Sequence, residues 1–181
     1  MRIIAGSRKG ARIFAPKGLE VRPTGDRVRE AVFNLIGPVD GADVLDLFAG
    51  SGALAIEALS RGASSALIIE RDGRAVEVIR ANLEALGLGE DEARVVHAPA
   101  RTALRDASAR GDAYDLVLLD PPYRDAPALG RELSQALPAV LAPAARVVTE
   151  SDRRSPLDLE LPVDRERRYG DTLIRIHEHG P

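Results

Sequence analysis

Asp46-Leu47-Phe48-Ala49-Gly50-Ser51-Gly52 is the stretch on which the reading of this chain turns. It leaves a short apolar run, residues 42–48, and opens into residues 52–61, which read as a helix. Glycines at a strand-to-helix turn let the backbone approach a ligand closely, and the helix start offers N–H groups with no partner of their own. Glu70 closes the next apolar run, residues 66–69, eighteen residues past Gly52. In doubly wound folds an acid there accepts hydrogen bonds from ribose hydroxyls.

The alternation continues outward. Residues 94–97, 115–119 and 145–149 read as strands, and residues 74–86, 101–110 and 128–140 as helices. The tail, residues 157–163 and 173–178, predicts two further strands around a polar turn at Tyr169-Gly170-Asp171. Short apolar strands alternating with helices imply an α/β fold, a doubly wound, mostly parallel, Rossmann-like sheet. Upstream, residues 2–5 and 11–15 flank Gly6-Ser7-Arg8-Lys9-Gly10 and predict a small β-hairpin. Arg22-Pro23-Thr24 breaks the chain. Thr24 or Asp26 can then cap a helix over residues 27–36 that Gly37-Pro38 ends. The expected division is a basic hairpin-and-helix extension, residues 1–40, ahead of the Rossmann-like domain, residues 41–181.

With 181 residues the chain has room for one domain. Its 45% hydrophobic and 29% charged content fits a folded core rather than a disordered chain. The absence of cysteine excludes disulfides, thiolate metal sites and cysteine nucleophiles. Charges interrupt residues 1–9 before any signal-peptide core could form, and no apolar run approaches the roughly 18 residues of a membrane helix. A cytoplasmic protein without membrane contact is expected. The net charge of −3 argues at first against nucleic acid. It is uneven, however. Residues 1–29 hold eight cations against Glu20 and Asp26, a surplus of +6 that leaves −9 for the rest. Either arginine is simply abundant, or a phosphate-facing arm precedes an acidic body.

Two ligands compete for the glycine turn. Gly50-Ser51-Gly52-Ala53-Leu54-Ala55 satisfies the loose dinucleotide fingerprint, with Glu70 as its acid. S-adenosylmethionine is the alternative. Its amino-acid end carries an ammonium, for which Asp46 is a partner, whereas a pyrophosphate would be repelled by that carboxylate. A plain structural turn would also need glycine. Asp120-Pro121-Pro122-Tyr123, after the strand at 115–119, is more specific. Paired prolines remove two backbone donors and stiffen the turn, so its carbonyls are expected unpaired. A carboxylate and a held carbonyl are two acceptors for the two N–H bonds of a planar amine. Binding both hydrogens aims the nitrogen lone pair at an electrophilic methyl group. Tyr123 offers a flat face for a base.

At this point the sequence resembles the class I S-adenosylmethionine-dependent amino-methyltransferases. Arg2-Ile3-Ile4-Ala5-Gly6, residues 22–34 (RPTGDRVREAVFN) and Tyr169-Gly170-Asp171-Thr172 narrow the resemblance to the bacterial RsmD family. That family methylates the N2 amine of a guanine in small-subunit (16S) ribosomal RNA. The resemblance implies that Asp46, Gly50 and Gly52, with the adjoining Phe48 and Ser51, hold the donor's methionine part and Glu70 its ribose. It implies that Asp120, Pro121 and Tyr123 hold the target guanine. It further implies that Arg22, Thr24, Arg27 and Arg29 lie near substrate and cofactor, and Arg8 and Lys9 of the hairpin loop join them as candidate RNA contacts. The chain departs from the wider pattern after the third strand. His97-Ala98-Pro99-Ala100 has no acid for the donor adenine.

The implied partner is small-subunit ribosomal RNA or an assembling 30S particle, with no metal, and nothing demands more than a monomer. His177 and His179 have no carboxylate cluster beside them in the sequence, and His97 reads as structural. Arg165, Arg167 and Arg168 either extend an RNA surface or form a solvated charge run. Rival readings are adenine-N6 or protein-glutamine methylation through the same turn, a nucleotide-linked oxidoreductase, and a non-catalytic ribosome-assembly factor.

Overall fold

Strands buried on both faces must be apolar along most of their length, and those beside the glycine turn are. The computed structural model describes residues 1–16, 25–122 and 125–180. In chain order the elements are α1 (Asp26–Ile36), β1 (Asp43–Asp46), α2 (Ala53–Ser60), β2 (Ser65–Glu70), α3 (Gly73–Ala85), β3 (Ala93–His97), α4 (Ala100–Arg110), β4 (Tyr114–Leu119), α5 (Ala126–Ala136), β5 (Leu141–Asp152), β6 (Val163–Tyr169) and β7 (Thr172–Glu178). They build one sheet in the order β3-β2-β1-β4-β5-β7-β6. The first five strands of that order are parallel, and β7 and β6 add antiparallel.

Two apolar layers cover the sheet. One holds Val32 and Phe33 of α1, Ala55 and Ile56 of α2, and Ile79 and Leu83 of α3. The other holds Ala103 and Leu104 of α4 and Leu133 of α5. The expected doubly wound class is what the chain adopts. β1 lies between β2 and β4, with Asp46 level with Ile68 and Leu118. The carboxyl ends of all three strands therefore meet at one edge, where such sheets bind ligands.

Three elements differ from expectation. Of the residues expected as a strand over 157–163, those at 157–162 are not one. Leu157 is buried in the layer over α5, and the Glu160 N–H donates to Ser134 Oγ at 2.8 Å. The strand is instead the charged Val163–Tyr169, whose side chains are mostly exposed at the sheet edge. Charge on an edge strand blocks pairing with other chains, so no apolar alternation marks it. β5 spans twelve residues rather than five, because β7 pairs with its full second half. The helix expected through residue 140 ends at Ala136 and continues as a 3-10 turn, Leu137–Val140, with Pro138 inside it.

The N-terminal arm is a hairpin closed by one bridge, Arg2 opposite Arg12. Ile3 and Ile13 enter the core beside α1. The arm is fastened to α2 by a buried carboxylate. Every residue of α2 is buried, and Glu57 is its one acid. Glu57 Oε2 accepts the Ile4 N–H at 2.8 Å, and Oε1 accepts the Ala5 N–H at 3.0 Å and Arg61 Nε at 2.8 Å. Arg29 Nε lies 3.5 Å from Oε2, and neither side chain of this pair has exposed surface. Such a charge is tolerable only because paired donors and cations replace water around it. Gly6 makes the crossing possible. A Cβ there would stand 1.6 Å from the Ser60 carbonyl oxygen, and its φ of +82° is a conformation side chains disfavour.

Removing one partner of a buried ion cluster strands the others. Glu57→Ala should therefore lower the unfolding free energy by about 3–5 kcal/mol in a urea titration. A loss under about 1 kcal/mol would mean that the arm is held by Ile3 and Ile13 alone.

Candidate active site and donor pocket

β1 ends at Asp46, and the chain turns through Leu47–Ser51 before Gly52, at φ +77°, starts α2. A Cβ on Gly52 would press within 3.3 Å of Ile79. The turn is held from three sides. Ala49 N–H donates to the Ile69 carbonyl at 3.1 Å. Gly50 N–H donates to Glu70 Oε2 at 2.8 Å. The Ser51 carbonyl accepts Asn82 Nδ2 at 3.0 Å. No side chain caps α2, which leaves its first-turn N–H groups available to a carboxylate.

Asp46 is the unusual member. It is buried, and neither carboxylate oxygen has a hydrogen-bond donor among the described residues. Burial first, and then the neighbouring Asp120 and Glu70 carboxylates, push its pKa up to about 7. The backbone N–H groups of Phe48 and Ala55 offset part of this without reaching hydrogen-bonding geometry. A buried acid lacking donors costs stability unless a cation or donor completes it. An α-ammonium held beside the glycine turn is such a cation, and a pyrophosphate is not. The donor set therefore fits S-adenosylmethionine.

Glu70 ends β2 with Oε2 on Gly50 and Oε1 on the Asp72 N–H at 2.8 Å. It thus braces the turn, and each oxygen keeps a further lone pair for a hydroxyl. Phe48 is half-buried and packs against the layer under α4 and α5. Asp120 follows β4 directly, close enough to Asp46 to raise its pKa. Pro121 is buried, and no described residue donates to its carbonyl. The expectation that both proline carbonyls are unpaired needs correcting. The Pro122 carbonyl accepts the Asp125 N–H at 2.8 Å, which leaves the Pro121 carbonyl as the one of the two without a donor among the described residues. Arg71, next to Glu70, pairs with Asp125 at 3.1 Å and spans from the end of β2 to this turn. Tyr123, Arg22 and Thr24 lie outside the described residues.

The expected RNA contacts divide. Lys9 and Arg27 are exposed and hold no ion pair among the described residues. Arg29 cannot face phosphate. It is wholly buried, and besides Glu57 it binds Asp26 at 3.1 Å and the Arg2 carbonyl. Its spacing after Arg27 hid that it points into the core of α1's inner face. Arg8 is largely engaged as a strut, bonding the Leu86 carbonyl and Glu92, each at 3.3 Å. Glu57 and Asn82 escaped the sequence reading. Glu57 had a signal, a lone acid in an apolar helix. Asn82 had a weaker one, a polar residue flanked on the buried face of α3 by Ile79 and Leu83. Among the described residues no cluster could hold a metal ion, and no helix is long and apolar enough to cross a membrane.

A family model described as conserved hypothetical protein 95 matches residues 1–178. The chain belongs to that family. Its relatives include "Putative rRNA methyltransferase YlbH" of Bacillus subtilis (strain 168), 38% identical over 187 residues and covering 98% of both chains. Ribosomal RNA small subunit methyltransferase D of Escherichia coli (strain K12) is 43% identical over 125 residues, 68% of this chain and 61% of that protein. These names agree with the RsmD family that the sequence resembles. The solved Escherichia coli structure named "Putative methyltransferase yhhF" superposes with a TM-score of 0.82 at 36% identity, over 99% of this chain and 98% of that one.

The raised Asp46 pKa predicts a pH-dependent gain on neutralising it. Between about pH 4 and 7 the folded chain keeps a proton that the unfolded chain has released, so stability falls as pH rises and the cost is complete above pH 7. Asp46→Asn should match the parent chain below pH 4 and exceed it by on the order of 3–4 kcal/mol at pH 8, measured by denaturant titration without ligand. Equal stability at pH 8 would show that the carboxylate is already satisfied.

Proposed function

We infer that this chain is an S-adenosylmethionine-dependent methyltransferase of ribosomal RNA, and that the atom it modifies is the exocyclic N2 amine of a guanine in the small-subunit (16S) RNA. The observation that carries this reading is the meeting of Asp46, Glu70 and Asp120 at the carboxyl ends of three adjacent strands. The names of the family's relatives supply the substrate class, and the Asp120–Pro121 acceptor pair supports an amine as its target.

The donor supplies a methyl group on a sulfonium. Asp46 pairs with its ammonium, the first turn of α2 receives its carboxylate, and Glu70 accepts from its ribose. Asp120 and the Pro121 carbonyl each accept one N–H of the guanine amine. That grip turns the lone pair toward the methyl carbon, in line with the bond that breaks. The N–C bond would form as the C–S bond breaks, with that bond's electron pair left on sulfur as a neutral thioether, and the nitrogen would then lose its proton to water. Asp120 stabilises the positive charge that develops on nitrogen. The protein does little covalent chemistry. Its contribution is positioning and charge. A guanine reached in this way leaves its stack, and Tyr123 offers a face to receive it.

Methyl incorporation into small subunits lacking the modification, followed by nucleoside mass spectrometry, tests this. The expected product is N2-methylguanosine. Asp120→Ala should lower turnover at least about a hundredfold while donor affinity holds. Near-normal turnover of that variant would sink the mechanism, and N6-methyladenosine as product would move the reading to adenine.

A further inference from the structure

We propose that Phe14 and Arg12 form a second nucleotide subsite on the arm, in which a base of the RNA substrate stacks on the Phe14 ring and an adjoining phosphate pairs with the Arg12 guanidinium. The proposal rests on the ribosomal RNA reading above and adds to it a contact distinct from the methyl-accepting guanine.

Phe14 is 63% exposed, whereas Phe33 is buried and Phe48 half-buried. An exposed phenylalanine alone would be unremarkable. Here the backbone beneath it is fixed on purpose-built contacts. Asn82, fully buried on α3, accepts the Phe14 N–H at 2.9 Å through Oδ1 and donates Nδ2 to the Phe14 carbonyl at 2.9 Å. Ile13, the preceding residue, is sunk in the core. The ring is thus presented to solvent from an immobilised stalk, which removes the ordering cost that a loose tail would incur on binding.

The surroundings are cationic. Arg2 and Arg12 stand directly opposite each other across the hairpin bridge. Like charges in that position destabilise a hairpin unless an anion lies between or beside them. The Arg2 guanidinium donates to the Gly10 carbonyl at 2.9 Å, and Arg12 makes no side-chain hydrogen bond or ion pair among the described residues. Asp26, the one acid among the described residues lining this place, is shared with Arg29. Together Met1, Arg2, Arg12, Ile13, Phe14 and Asp26 line a cavity of about 430 Å³. An open hollow with a flat apolar wall and an uncommitted guanidinium matches a base with its phosphate. It does not match a protein partner, which would need a contiguous apolar patch, and the other large exposed hydrophobics among the described residues, Val163 and Tyr169, lie on β6.

The subsite also lies close to the chemistry. Asn82 Nδ2 that holds Phe14 holds the Ser51 carbonyl of the glycine turn at 3.0 Å as well. One buried amide therefore ties the stacking platform to the donor loop.

The test is steady-state methylation of small-subunit RNA by the full chain and by Phe14→Ala, Phe14→Leu, Phe14→Trp and Arg12→Ala, with donor affinity and thermal midpoint measured on each. Phe14→Ala and Phe14→Leu should raise KM for RNA about tenfold or more, while Phe14→Trp holds it near the parent value. Donor affinity and thermal midpoint should not move. Arg12→Ala should raise KM for RNA and reduce the slope of log affinity against log salt by roughly 0.7. An unchanged KM, Leu serving as well as Phe, or a parallel fall in donor affinity overturns the subsite. Transfer by the parent chain with Phe14 variants indifferent overturns the subsite alone. Absence of any transfer to ribosomal RNA by the parent chain overturns the functional reading and the subsite with it.

Discussion

A carboxylate taken out of water without donors is the constraint around which this molecule is arranged. Asp46 sits at the end of the central strand, where β2 and β4 shield it from both sides. Asp120 and Glu70 add their charge to its surroundings instead of relieving it. Folding alone gains nothing from this concentration of acids. The sheet could have closed over a neutral residue there with less cost. The arrangement makes sense when a cation completes the site, and it explains why the turn that follows must be glycine-rich, firmly braced and open at the α2 N-terminus.

Charge elsewhere in the chain follows the same logic of separate uses. The head's surplus of +6 first suggested an arm bristling with phosphate contacts. Part of it is structural. Arg29 is sealed against Glu57, and Arg8 is braced against Glu92. Among the described residues, what remains outward is smaller and more local, at Arg2, Lys9, Arg12 and Arg27. Glu57 and Asn82 do the fastening, one at Ile4 and Ala5 and the other at Phe14. Asn82 touches the glycine turn as well. The arm is therefore part of the same body as the glycine turn, packed into one apolar layer through Ile3 and Ile13.

Much of the fold could be read from the chain because its periodicities are local. Strands such as β2 and β4 carry unbroken apolar runs, residues 66–69 and 116–119, and Gly50 and Gly52 mark the turn between β1 and α2. Positions within about two residues of the observed ends followed from that. β6 could not be read so, since an edge strand made of Asp-Arg-Glu-Arg-Arg carries no apolar signature and is defined only by its pairing with β7. The site divides in the same way. Glu70 and Asp120 were legible because each terminates an apolar run, and Asp46 because it is an acid near the end of one that opens into the glycine turn. The burial of Arg29 was not, because its partner Glu57 is remote in sequence and only the docking of the arm joins them. Likewise the Pro122 carbonyl is taken by the Asp125 N–H three residues on, a local backbone bond that composition cannot show.

If Asp46 awaits a cation, donor binding must change its protonation. Calorimetric titration of the chain with S-adenosylmethionine at pH 6.5, in two buffers of different ionisation enthalpy, reads that directly. With a pKa of about 7 in the free chain, Asp46 should release about three quarters of a proton as the ammonium pairs with it. The release should vanish in Asp46→Asn together with most of the affinity. Tight donor binding with no proton released, or the same release from Asp46→Asn, would contradict the account.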